Sequence, residues 1–183
     1  KDGLVLEGTI TIVPSDGTKQ TLKGSFKDNS FEGTATIVGT DNSTQVKKGY
    51  FKNFLLDGQG TYYWDGGNFI GKFKDGKRNG EGIILWDNGT KFISNFKDNI
   101  SVGIAKKIYP DGVIVEGNFD KDLDLIGSGT VYKDGKVGDV TQKGSNLQFR
   151  FKSKKVYIYR TIYYMETPKR RKIINNNDRR FLN

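Results

Sequence analysis

The chain has no histidine and no cysteine in its 183 residues. That removes a Ser-His-Asp triad, a cysteine nucleophile, disulfides and an ordinary zinc site. Without cysteine the redox compartment cannot be read from the sequence. Proline occurs three times and methionine once. No apolar run reaches the roughly 18 residues that a membrane-spanning helix needs. The opening KDGLVLEG lacks the apolar core of a secretory signal. The chain begins at Lys1 rather than Met, which leaves room for an upstream segment. No part of residues 1–140 keeps a helical period.

The remaining chemistry is sparse. The five glutamates, Glu7, Glu32, Glu81, Glu116 and Glu166, are scattered and read as strand-surface residues. Gly58-Gln59-Gly60 and Gly80-Glu81-Gly82 imitate half of a nucleotide fingerprint, but neither opens a helix. Asp120, Asp122 and Asp124 alternate like a calcium loop. Its glycine and glutamate positions hold Leu125 and Val131, so a solvated acidic turn is the better reading. Asn42, Asn88 and Asn99 begin Asn-x-Ser/Thr triplets, too common in such a composition to argue secretion. No enzymatic activity, metal or cofactor is expected.

What is present is repetition. Phe51, Phe73, Phe96 and Phe119 are spaced 22, 23 and 23 residues apart, and Phe26 precedes them by 25. The clearest copy is FIGKFKDGKRNGEGIILWDNGTK, Phe69 to Lys91. In it Phe69, Gly71 and Phe73 alternate with Ile70, Lys72 and Lys74, which predicts a strand. Asp75-Gly76 predicts a tight turn, and Ile83-Ile84-Leu85-Trp86 a second strand. Further turn signals are Asp57-Gly58, Asp65-Gly66, Asp111-Gly112 and Asp134-Gly135. Each repeat is thus expected to be a β-hairpin, too small to bury a core alone, and joined edge to edge with the next in one antiparallel sheet. Gly24, Gly49, Gly71 and Gly117 share one offset, where aromatic rings can lie on bare backbone. Ser94 breaks that series, and Gly103-Ile104-Ala105 replaces Gly-x-Gly. Ordinary drift in a weaker copy explains this more simply than a bend or a partner contact.

Aromatic-x-Gly-x-aromatic, a turn, then Gly-x-Gly resembles the MORN repeat. The resemblance covers about residues 1–137, with five fair copies and a partial one at Gly8–Gly17. Phe stands where the family often has Trp, and Arg78-Asn79 replaces its usual polar-His element. A rival is the aromatic-Gly β-solenoid repeat, but only Thr61-Tyr62-Tyr63-Trp64 is similar to it. The MORN resemblance implies an all-β, elongated and twisted antiparallel sheet of ~23-residue hairpins. It implies an aromatic-lined groove, for which Phe51, Tyr63, Phe73, Phe96 and Phe119 are the candidates. It also implies scaffold, dimerisation or peptide-binding roles in cytoskeletal, ciliary or membrane-junction assemblies. Some members are credited with phosphoinositide binding, and some precede lipid-kinase or lysine-methyltransferase domains.

The net charge of +9 is uneven. Residues 1–142 hold 18 Lys+Arg against 19 Asp+Glu, whereas residues 143–183 hold 12 against two. The expected organisation is an array at 1–137, capping strands at 138–167 and a basic tail at 168–183. Leu147, Phe149 and Phe151 alternate with polar residues as a half-buried strand, and VYIYRTIYYM has two apolar faces. Capping the open sheet edge is the simplest role for these strands. The sharper alternative is a stacking, basic surface for RNA built with Arg150, Lys152, Lys154, Lys155 and Arg160. The tail adds Lys169, Arg170, Arg171, Lys172, Arg179 and Arg180. With Lys152, Lys154 and Lys155 these are the candidate anion-binding residues. An acidic protein surface, anionic lipid and nucleic acid are their candidate partners, and Lys169–Lys172 also fits nuclear import. The combined expectation is a cytoplasmic scaffold that docks proteins, associated with cytoskeleton or membrane, as a homodimer or part of a larger complex. The alternatives are a peripheral module for anionic phospholipids and the regulatory half of a larger enzyme.

Overall fold

The computed structural model describes residues 6–28, 30–151, 158–165 and 172–174. Every regular element among them is a β-strand. The chain divides into two compact units, Lys1–Val102 and Gly103–Asn183.

The first unit holds β1 (Leu6–Ile12), β2 (Lys19–Lys27), β3 (Ser30–Val38), β4 (Thr44–Lys52), β5 (Leu55–Trp64), β6 (Gly67–Lys74), β7 (Lys77–Trp86) and β8 (Lys91–Lys97). Each pairs antiparallel with the next. The 22- and 23-residue beat is the beat of one turn. Asn53–Phe54, Asp75–Gly76 and Asp98–Asn99 each place both residues at positive φ, between 48° and 77°. Paired positive φ values match the right-handed twist of the flanking strands. The turn expected at Asp57-Gly58 is instead inside β5, because Lys52 pairs with Leu55 and Phe51 with Leu56.

The Gly-x-Gly pair has two separate jobs. Its first glycine lies where the register shifts, opposite Gly49/Phe51 for Gly58 and opposite Gly71/Phe73 for Gly80, at φ of 97° and 103°. Its second glycine belongs to a row running straight across the sheet: Gly8, Gly24, Gly33, Gly49, Gly60, Gly71 and Gly82 are consecutive cross-strand partners. Side chains lie on this bare backbone. A Cβ at Gly82 would stand 2.2 Å from Phe69 Cζ, and one at Gly24 or Gly33 2.9 Å from Phe31. The row stops at Ser94, the partner of Gly82. There the Ser94 and Ser101 hydroxyls, both buried, hydrogen-bond at 2.6 Å.

The strands alternate as the pattern required. In β6, Phe69 and Phe73 are buried while Ile70, Lys72 and Lys74 are exposed. Phe69 touches Phe73 and Phe96 edge-on at 5.1 and 5.2 Å between ring centroids. Phe31 bridges Phe26 and Phe51 at 4.7 and 4.9 Å. On the other face Ile70, Ile83 and Ile93 form an exposed cross-strand ladder.

β9 (Ile100–Ile108) crosses the division in sequence, and its later residues pair with β10 (Ile114–Gly117). The second unit continues with β11 (Ser128–Lys133), β12 (Lys136–Lys143), β13 (Asn146–Phe151), β14 (Ile158–Met165) and β15 (Lys172–Ile174), each antiparallel to its predecessor. Leu147, Phe149 and Phe151 are buried along β13, as their alternation predicted. β12 runs through residue 137, and β14 is paired on both sides, by β13 and by β15. In the acidic segment before β11, Asp120 Oδ1 accepts the backbone N–H groups of Asp122 and Asp124 at 2.9 and 3.0 Å.

Candidate functional site

The register of the first unit sets one cation inside an apolar row. Leu22, Ala35, Lys47, Tyr62, Phe69, Ile84 and Phe92 are successive cross-strand partners on the buried face. Leu22, Ala35, Phe69 and Phe92 are fully buried, so Lys47 occupies a core position. Its flexible stem does not fill the space a phenyl would, and a cavity of about 450 Å³ opens there, walled by Lys47, Tyr62, Trp64, Phe69, Phe73 and Arg78. Lys47 Nζ lies 5.5 Å from the Tyr62 ring centre, and the Tyr62 and Trp64 rings meet at 5.3 Å.

Arg78 forms the opposite wall and is held from three sides. Its guanidinium carbon stands 5.1 Å from the Phe96 ring centre and 5.6 Å from that of Phe69. Asn99, in the tight turn beside it, accepts the Arg78 backbone N–H at Oδ1 (2.8 Å). The Asn99 carbonyl accepts Arg78 Nη2 at 2.9 Å, and the Asn99 N–H donates to the Arg78 carbonyl at 3.0 Å. Gly76 and Asn99 complete the lining, so the cavity carries two cations and no carboxylate. Among the described residues neither cation makes an ion pair. Burial lowers the pKa of both Lys47 and Arg78 and raises that of Tyr62. The cavity is therefore a desolvated positive site with aromatic walls. A more open depression of about 710 Å³ lies nearby, where Lys52, Lys72 and Lys74 are offset by Asp57 and Asp75.

Residues 48–69 and 69–91 each match the family model of the MORN repeat. Residues 48–91 are two MORN repeats. Tyr62, Trp64, Phe69, Phe73, Gly76 and Arg78 lie in the two matched MORN repeats, and Lys47 immediately precedes them. MORN repeats are commonly protein- or lipid-binding modules and are generally non-catalytic. No curated protein matches the chain.

The expected aromatic groove is placed differently by the structure. Phe51, Phe73, Phe96 and Phe119 are buried, at most 6% exposed, so they are committed to packing and leave almost no free ring face. Of the four, Phe73 lines the cavity. Tyr63 is exposed but points to the opposite face from its neighbour Tyr62, because successive strand residues alternate. Tyr62 and Trp64, both half-buried, are the tyrosine and tryptophan that line the cavity. Lys152, Lys154, Lys155, Lys169, Arg170, Arg171, Arg179 and Arg180 lie outside the described residues. Lys172 opens β15, with its backbone opposite Met165.

Sequence reasoning missed Lys47, Tyr62, Trp64 and Asn99, and it noted Arg78 only as a departure from the family pattern. A signal for Lys47 exists. Two residues before Gly24, Gly71, Ser94 and Gly117 the chain has Leu22, Phe69, Phe92 and Val115, but two before Gly49 it has Lys47. A lysine at the most apolar position of a repeat marks a departure from packing.

Proposed function

We propose that this protein is a non-enzymatic docking module: its MORN hairpins bind a protein partner on the buried face of the first unit, and its basic C-terminal segment adds attraction to an acidic surface of that assembly. The observation that carries the reading is the cavity in the matched repeats. It is cationic and aromatic, and it has no acid of its own to neutralise it. Repeat arrays use such faces to hold extended segments of other chains. A cytoplasmic setting, on cytoskeleton or at a membrane, belongs to the same proposal.

Photo-crosslinking tests it. A crosslinking amino acid at Trp64, which lines the cavity, and one at Ile10, exposed on the same face but remote, are compared in native cells. The absence of specific protein adducts from both positions would refute docking by the array. A second reading rests on the +10 balance of residues 143–183, which suits anionic phospholipid. Co-sedimentation with anionic vesicles across a salt series, with and without residues 168–183, separates the two. Lipid binding that disappears with that deletion favours the membrane reading.

A further inference from the structure

Resting on the docking reading, we infer that the Lys47–Arg78 cavity is a receptor for one acidic side chain, a Glu or Asp carboxylate on an extended segment of the bound protein. Three observations converge on this. The cavity pairs two half-buried cations with no carboxylate among its lining residues. A partly desolvated charge is costly until a counter-charge joins it, so an entering anion restores what burial removed. Arg78 is fixed by Asn99 and by two phenyl rings, which leaves its remaining N–H groups aimed rather than mobile. The remaining walls are aromatic: Tyr62, Trp64, Phe69 and Phe73.

The walls select the occupant. An anion entering here must bring apolar atoms to cover the rings. The methylenes of a glutamate and the side chains flanking it on a peptide do this. A sugar-phosphate headgroup brings hydroxyls and phosphates, whose water the aromatic walls cannot replace. The local charge also fits a short-range contact. The array as a whole is nearly neutral, so the pocket recognises its ligand after docking and does not steer it from afar.

The test uses the full chain and defined probes. Two capped pentapeptides, identical except for a central Glu or Gln between valines, are titrated while amide and indole NMR signals are followed. The Trp64 indole N–H and the Tyr62 and Arg78 amides are expected to move with the Glu peptide. The Gln peptide is expected to bind about tenfold more weakly or worse, the usual worth of a charged hydrogen-bond partner. Lys47→Met should weaken the Glu peptide to the same degree, and Lys47→Arg should restore it. Equal responses to Glu and Gln, shifts confined to other residues, or no shift with either peptide would overturn the inference. So would phosphatidylserine vesicles moving these signals when the Glu peptide does not. Crosslinked partners that survive Lys47→Met would sink the subsite while leaving docking intact, and loss of all partners from the unmodified chain would sink docking itself.

Discussion

Gly82→Ala isolates the packing device on which the array depends. Gly82 is not at positive φ, so alanine meets no backbone strain there. Its added methyl would instead fall 2.2 and 2.4 Å from Phe69 Cζ and Cε2. The ring cannot swing away cheaply, because it is fully buried with Phe73 and Phe96 edge-on against it and Arg78 over its face. Overpacking of this kind costs about 1–3 kcal/mol, and the lost glycine entropy offsets about 0.5 of that. The expected loss is about 2 kcal/mol, or about 4–8 °C in Tm for a chain of this size. Both tryptophans, Trp64 and Trp86, lie in the first unit, so denaturant unfolding followed by fluorescence reads the right region. Phe69→Leu should absorb much of the damage, giving a favourable coupling of about 1 kcal/mol in a double-mutant cycle. Gly8→Ala is the control, since it lies in the same row with nothing within 4 Å of a new Cβ, and it should be neutral or slightly stabilising. A neutral Gly82→Ala, or strict additivity with Phe69→Leu, would refute the claim that rings lying on bare backbone hold the sheet.

Four further outcomes follow from the same geometry. Phe54 is exposed and sits in a tight turn at φ 64°, so Phe54→Gly should stabilise the first unit by about 0.5–1 kcal/mol in urea melts. Ser94→Ala strands the buried Ser101 hydroxyl and should cost about 1–2 kcal/mol, whereas Ser94→Ala with Ser101→Ala should cost less than the two single changes together. Glu116 accepts Lys106 and Tyr132, and the Lys106 hydrogen bond is the main cause holding its pKa below the ordinary 4.5. The contribution of Glu116 is complete above that value and disappears as pH falls through the lowered pKa, so wild type should lose more Tm than Glu116→Gln between neutral pH and pH 3. Lys47→Leu should fill part of the cavity and raise stability by about 1 kcal/mol while weakening the response to the Glu peptide about as much as Lys47→Met, the trade expected where a site is carved from a core.

The fold was legible because its two signals are local. Alternation around Phe69, Gly71 and Phe73 fixes which face is buried, and Asp75-Gly76 fixes where the chain reverses. The same logic failed at Asp57-Gly58, since a glycine that follows an acid serves a bulge as readily as a turn. The turn fell to Asn53–Phe54, whose phenylalanine gives no sign of positive φ. The site was less legible. Tyr62, Tyr63 and Trp64 are adjacent in sequence, and which rings face the cavity depends on the register set by Lys47 opposite Tyr62. Register is a pairing between strands, and composition does not carry it. The clamp of Asn99 on Arg78 joins neighbouring hairpins 21 residues apart, so no single repeat contains it.

In an array of equivalent hairpins, consensus positions are committed to packing. A phenylalanine that lies on the glycine row in one copy does the same work in the next, and neither distinguishes one partner from another. Specificity can be written only where a copy departs from the rule at small cost to its neighbours. Lys47 is such a departure: replacing an apolar side chain by a thinner, charged one both opens the cavity and charges it. Arg78 is another, because its guanidinium keeps the ring contacts of the core while presenting charge. Ser94 is of a different kind. Its hydroxyl is closed by Ser101, so it substitutes one packing solution for another and offers nothing to a ligand. On the proposed docking reading, the distinction between a departure that leaves an unpaired charge and one that closes on itself separates candidate binding copies of the repeat from merely drifted ones.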